Sequence, residues 1–148
     1  MTPQETASAV GIGMMAKDKA SRGLGMRLTH ISPGAAHIDM LVRPDMLNGH
    51  ATCHGGMITT LADSTFGFAC NSYNELTVAS GLSVDFVAPA FEGDVLTARA
   101  SEVSLSGRTG VYDVVVFNQK ADCIAVFRGR SHRIKGKQTV ALDDKSKP

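Results

Sequence analysis

The sequence carries almost no excess charge: its formal net charge is +1 at pH 7. A nucleic-acid binder usually presents a strongly basic face, so that class is set aside and partners must be sought in local sites. Cysteine is scarce and odd in number, with Cys53, Cys70 and Cys123 irregularly spaced. No disulfide framework is expected, and a reducing, cytoplasmic setting fits better. No uncharged apolar run approaches the roughly 20 residues that span a bilayer, so no membrane partner is expected. The first residues, MTPQETASAV, lack the basic-then-apolar pattern of a secretory signal. No internal repeat and no linker divides the chain. What is present is 43% apolar residue over 148 positions, enough for one globular domain, 1–148, with a real core.

Thr6 to Ser21 is rich in Ala and Met and predicts an amphipathic helix, weakened by Gly11 and Gly13, within an N-terminal helical segment 1–22. The G-x-G there follows no strand and lacks a third glycine, so it is no dinucleotide site. Two β-type runs follow, Met26 to Ile31 and Ala36 to Val42, and Ser32-Pro33-Gly34 between them predicts a hairpin. Arg43 to Ala51 is a loop. From Gly55 to about Asn71 apolar residues recur at three- and four-residue steps and predict a long helix. Four strands come next: Thr77 to Ala88, Val95 to Leu105, Thr109 to Asn118 and Cys123 to Ile134. Alternation such as Leu82-Val84-Phe86 supports them, and their short connections predict antiparallel neighbours. The tail 136–148 is polar and expected to fray. The fold class is α+β: an antiparallel, curved sheet wrapped around one long central helix. Such a sheet keeps open edges, which a second copy of the chain can close.

The chemistry concentrates in NGHATCHGGMITTLADSTFGFAC, Asn48 to Cys70. His50, Cys53 and His54 suggest a metal, but no second Cys/His cluster supplies further ligands, and the expectation is none. A Cys53 nucleophile with His54 as base is disfavoured because adjacent side chains on an extended segment point apart, and Cys53 reads as a packed thiol. Ser64 lacks the G-x-S-x-G elbow of a nucleophile. Asp63 stands out as the only charge between Gly55 and Asn71, with no Lys or Arg one helical turn away. Burying such a carboxylate unpaired costs several kcal/mol. It either bonds a backbone group of the sheet or serves chemistry. Gly55-Gly56 opens the helix. Its free N–H groups make an oxyanion site, unless the pair merely starts the helix in a tight space. Eight residues of helix separate Gly55 from Asp63, a rise of about 12 Å. One chain cannot bring both to one reacting carbon, whereas two antiparallel copies of the helix can.

The segment NGHATCHGGMITTLADSTF resembles the signature of the hotdog-fold acyl-CoA thioesterases, and within them the phenylacetate-degradation (PaaI-type) group. The likeness extends through VASGLSVDFVAPAFEGD, RTGVYDVVVFNQ and FRGRSHRI and covers the chain from about Gly23 to Ile134. It implies hydrolysis of acyl-CoA thioesters, of the aryl-acetyl type, with coenzyme A as part of the substrate and no separate cofactor. It implies that Asp63 is nucleophile or general base and that the Gly55 N–H polarises the thioester carbonyl. His54 and Asn48 then help to hold the thioester or the water. It also implies a homo-oligomer, a dimer with shared sites that pairs into a tetramer. The pantetheine arm would run along the strand from Gly81 to Pro89, with Phe86 and Val87 as contacts. The turn at Arg108, Thr109 and Gly110 and the cluster Arg128, Arg130, His132, Arg133 and Lys135 are candidates for the CoA phosphates. Met57, Phe66, Tyr73 and Phe86 are candidates for an apolar acyl pocket. A hydratase or dehydratase using His54 or His50, or a non-catalytic acyl-CoA binding protein, are the rival readings on the same scaffold.

Overall fold

A computed structural model describes residues 1–142. The N-terminal segment forms two helices rather than one, α1 (Pro3–Lys17) and α2 (Lys19–Gly23). Thr2 caps α1 by accepting the Glu5 N–H at 3.1 Å, and Pro3 fits the first turn, where no N–H is needed. The break falls at Asp18, whose carboxylate accepts the Ser21 N–H at 2.9 Å and caps α2. A side chain that bonds the backbone ahead of it favours starting a helix over continuing one. α1 is also less amphipathic than expected: Ala7 and Val10 are buried, but Ile12 is 76% exposed.

The hairpin is β1 (Arg27–Ser32) and β2 (Ala35–Leu41), turning at Gly34 with φ of +77°. A short 3-10 turn, Pro44–Met46, leads into the loop before α3 (Gly55–Asn71). Then come β3 (Thr77–Phe86), β4 (Val95–Ser106), β5 (Thr109–Phe117) and β6 (Cys123–Arg133). All six strands form one antiparallel sheet in the order β1-β2-β4-β5-β6-β3. Short connections had predicted β3 beside β4. Instead β3 takes the far edge, pairing with β6 from Thr77↔Arg133 to Phe86↔Ala125, and β4 lies beside β2. Residues 87–94 make the crossing, and Val42 anchors its end through Val42 N–H to Asp94 O (2.8 Å) and Gly93 N–H to Val42 O (2.9 Å). Three strand spacings are roughly 14 Å, well within the reach of that segment.

The sheet curves over α3. Ile58, Leu61, Ala62, Thr65, Phe66, Phe68 and Ala69 are buried against it. Phe66 lies edge-on to Tyr112, with ring centres 5.6 Å apart, and 5.9 Å from Phe127. Each such large apolar side chain contributes about 1.5–3 kcal/mol on full burial. The opposite stripe of α3 is only partly covered: Gly56 and Asp63 are exposed, and Thr60, Ser64 and Gly67 are half-buried. The edge strand β3 is partly covered in the same way. Leu82 opposes Gly129 and Phe86 opposes Ala125, which places both on the helix side of the sheet. They are nonetheless 40% and 52% exposed, although the start of α3 reaches the strand at Gly55, beside Phe86.

The tail departs from expectation. Lys137 O accepts the Leu76 N–H (2.9 Å), Thr139 Oγ1 donates to Asn71 Oδ1 (2.7 Å), and the Val140 N–H donates to Asn74 Oδ1 (2.9 Å). Buried amide groups at the end of α3 thus tie the chain down to at least residue 140. The rest of the expected frayed segment, 143–148, lies outside the described residues. Among those described, no helix is long and apolar enough to cross a membrane.

Candidate active site

Asn48 organises the loop that enters α3. Its Oδ1 accepts the N–H groups of His50 (2.9 Å) and Thr52 (3.2 Å), and its Nδ2 donates to Thr52 Oγ1 (3.0 Å). The side chain is therefore committed to loop geometry in the single chain. The loop is pinned by His54 N–H to Met46 O and Cys53 N–H to Ala90 O, both 2.8 Å. His54 is the N-cap: its Nδ1 accepts the Gly56 N–H at 2.9 Å, and its carbonyl accepts from Met57 and Ile58. That leaves one donor of the first turn, the Gly55 N–H, without a partner among the described residues. It points from the positive end of a 17-residue helix. Gly55 shares a cleft of about 380 Å³ with Asn48, Ile58, Phe86, Val87 and Pro89.

Cys53 does not join this chemistry. It is buried, and burial first, then the nearby Asp94 carboxylate, raises its pKa, so the thiol stays protonated. His54, the base it would need, has its Nδ1 occupied by the cap. Cys70 is likewise pushed up to about 12 by burial. His50 is exposed. Among the described residues no three His, Cys, Asp or Glu side chains cluster to hold a metal ion.

Asp63 is not buried as expected. It stands on the partly covered stripe of α3, open to solvent at its edge, with no hydrogen bond or ion pair among the described residues. The walls around it still desolvate the carboxylate and raise its pKa above the ordinary 3.8. Those walls form a second cleft, of about 340 Å³, which includes Met14, Asp18, Ser21, Phe66 and Thr77. Sequence reading missed Met14, Asp18 and Ser21 as site neighbours. The Asp18 cap was a local signal, but nothing local says that α1 and α2 fold back onto α3.

The remaining candidates divide by position. Phe86 and Val87 join Gly55, while Gly81, Arg108, Thr109, Gly110 and His132 lie toward the other end of β3, β5 and β6. Thr109 and His132 face each other across β5 and β6, and the Arg130 guanidinium lies over Gly81. Arg108 lines a third cleft, of about 600 Å³, with Tyr73, Glu75, Arg133, Lys135 and Lys137. Arg133 is held there by Glu75 at 2.6 Å and lies over the Tyr73 ring, 5.1 Å from its centre. Arg128 points elsewhere, to a bidentate pair with Asp113 at 2.7 and 2.9 Å. Met57, Phe66, Tyr73 and Phe86 do not meet in one pocket. Tyr73 turns to the cationic cleft, Phe66 to the core and Phe86 to Gly55.

An antiparallel sheet wrapped on one helix, with an unpartnered donor at the helix start and an unpartnered acid two turns on, has clear relatives. The family model of the thioesterase superfamily matches residues 50–125. The chain is 44% identical over 123 residues to the acyl-coenzyme A thioesterase PaaI of Escherichia coli K12, covering 83% of this chain and 88% of that protein. It is 36% identical to a putative esterase of Archaeoglobus fulgidus, over 82% of this chain and 79% of the other. The solved structure of E. coli PaaI, from the phenylacetic acid degradation operon, superposes with a TM-score of 0.90 at 40% identity, over 92% of this chain and 99% of that one. The chain belongs to the thioesterase superfamily, and its fold is the hotdog fold. Within that class it is an acyl-CoA thioesterase of the PaaI type.

Proposed function

We propose that the protein hydrolyses aryl-acetyl-CoA thioesters at sites shared between two copies of the chain. The observation that carries this reading is the pair of unpartnered groups on α3, the Gly55 N–H and the Asp63 carboxylate. The helix is unbroken between them, so they stay about 12 Å apart along its axis. A second α3, antiparallel and related by a two-fold axis, sets Gly55 of one chain against Asp63 of the other. The partly covered stripe of α3 and the exposed Leu82 and Phe86 on edge strand β3 are the surfaces that such a copy would cover. The aryl-acetyl preference is supported by the likeness to E. coli PaaI.

In this reading the thioester carbonyl oxygen accepts from the Gly55 N–H, which stabilises the negative charge that develops there. Ionised Asp63 of the partner chain attacks the carbonyl carbon or takes a proton from the attacking water. The carbon–sulfur bond breaks and the sulfur takes up a proton as the free thiol of coenzyme A. Where Asp63 has attacked, water then hydrolyses the mixed anhydride and frees the carboxylate side chain. Where Asp63 has acted as base, the water oxygen is already on the carbon, so in both cases the acyl group leaves as a carboxylate. Asn48 and His54 act through the loop and the helix cap rather than on the substrate. Arg108, Lys135 and Lys137 line a cleft rich in cations, which suits the phosphates of coenzyme A. All three thiols are free, as a reducing cytoplasm would keep them.

Asp63→Ala tests the reading. Thiol release from phenylacetyl-CoA should fall about 10²–10⁴-fold, the usual scale for losing a general base, with circular dichroism unchanged. Turnover retained within a few fold would overturn it.

A further inference from the structure

The cleft beside Asp63 differs in charge from the one at Arg108. Its only charged lining residues are Asp18 and Asp63, and no Lys, Arg or His lines it. Two carboxylates repel the phosphates of coenzyme A, so this cleft does not suit the nucleotide end of the substrate. The accessible part of the rest of its wall includes the apolar side chains of Met14, Ala20 and Ala79, with the core residues Phe66 and Phe68 beneath. At about 340 Å³ it is the size of a small-ligand pocket.

The outer wall comes from α1 and α2, which lie outside residues 50–125 matched by the family model. They are pinned to α3 next to the acid. Ser21, 1% exposed, bonds Ser64 Oγ at 2.8 Å and Asp18 Oδ2 at 2.7 Å, and Ser64 adjoins Asp63. The far end of α1 is tied to β1 by Gln4 Nε2 to Ile31 O at 2.8 Å. The wall is thus fixed in place, while Met14 presents an unbranched, adaptable side chain into the cleft.

We infer that this cleft takes the acyl group and that Met14 of α1 sets the size of acyl group accepted. The inference rests on Asp63 acting at the carbonyl carbon, since only then does the acyl chain begin at this cleft. Chemistry then resides on α3, and choice of acyl group on a segment beyond the matched family core.

The test compares acetyl-CoA, phenylacetyl-CoA and 4-phenylbutyryl-CoA with wild type, Met14→Ala and Met14→Trp. Ala20→Phe, at an exposed position of α2, fills the same cleft with little risk to folding. Thiol release gives kcat/KM, and calorimetric binding of the same thioesters is measured in the Asp63→Ala background. Met14→Trp and Ala20→Phe should lower the phenylacetyl-to-acetyl ratio of kcat/KM by about tenfold or more, the scale of a mismatch in an apolar pocket. Met14→Ala should shift preference toward the phenylbutyryl thioester. The affinity ratios should move in the same direction without turnover. Equal factors for every thioester, or no change in the binding ratios, would overturn the role of Met14. Absence of thiol release by wild type from all three, with the binding ratios still responding, would instead overturn the hydrolytic reading alone.

Discussion

Phe86 stands over Gly55. A Cβ placed on Gly55 would come within 2.9 Å of the tip of the Phe86 ring. Glycine is therefore needed at the helix start for close approach, quite apart from backbone freedom. The same absence of a side chain leaves the Gly55 N–H open to the cleft.

Gly55→Ala should accordingly push the Phe86 ring aside or tilt the first turn of α3. We expect kcat/KM for thioester hydrolysis to fall about 10- to 100-fold, short of the 10²–10³ cost of deleting an oxyanion donor. Removing the ring as well, in Gly55→Ala/Phe86→Ala, should recover part of the loss relative to additivity. Steady-state kinetics on the four members of this cycle check it, and strictly additive effects would mean that the ring is irrelevant.

The raised pKa of Asp63 has two consequences of opposite sign. The ionised form works, so kcat/KM should fall as pH drops through a value above the ordinary 3.8. Folding disfavours that same ionised form. The neutral acid and an Asn are then equivalent at low pH, and the wild type becomes the less stable of the two as pH rises through the raised pKa. Asp63→Asn should match wild type in Tm below pH 3.8 and exceed it at neutral pH. Melting curves across pH 3 to 8 would show the gap opening, and a constant gap would count against desolvation at Asp63.

His54 tests cap against catalyst. His54→Ala removes the acceptor for the Gly56 N–H and should cost about 0.5–2 kcal/mol of stability. It should also slow hydrolysis, because the first turn that presents Gly55 loosens. Asn is a good N-cap without an imidazole, so His54→Asn should recover both Tm and most of the turnover. Recovery of Tm with turnover still lost would assign the ring a direct part in the reaction.

The helix from Gly55 to about Asn71 is legible because two glycines mark its start and its apolar steps run without a break. The strands were legible from alternation, to within a few residues. The sheet order was not, because periodicity reports the faces of a strand and not its neighbours. The anchor that sends β4 beside β2 is a backbone pair between Val42 and residues 93–94, invisible in any local window. The same limit hid the tail, whose partners Asn71 and Asn74 lie more than sixty residues upstream. Asp63 was singled out by charge accounting, yet its burial was overstated. A mid-helix acid on an apolar helix predicts a buried carboxylate, whereas long-range packing covers that stripe only in part and leaves Asp63 exposed. Asn48 and His54 were found by likeness alone, and their structural tasks, tying a loop and capping a helix, needed coordinates to appear.

The spacing along α3 has a genetic consequence. If each site takes Gly55 from one chain and Asp63 from the other, a chain lacking a working Gly55 and a chain lacking Asp63 are both inactive alone. Joined, they rebuild one whole site and leave one doubly defective. Random pairing of equal amounts makes half of the dimers mixed, so the blend should regain about one quarter of the native activity per chain. Two dead alleles of this protein would then complement each other within a single cell.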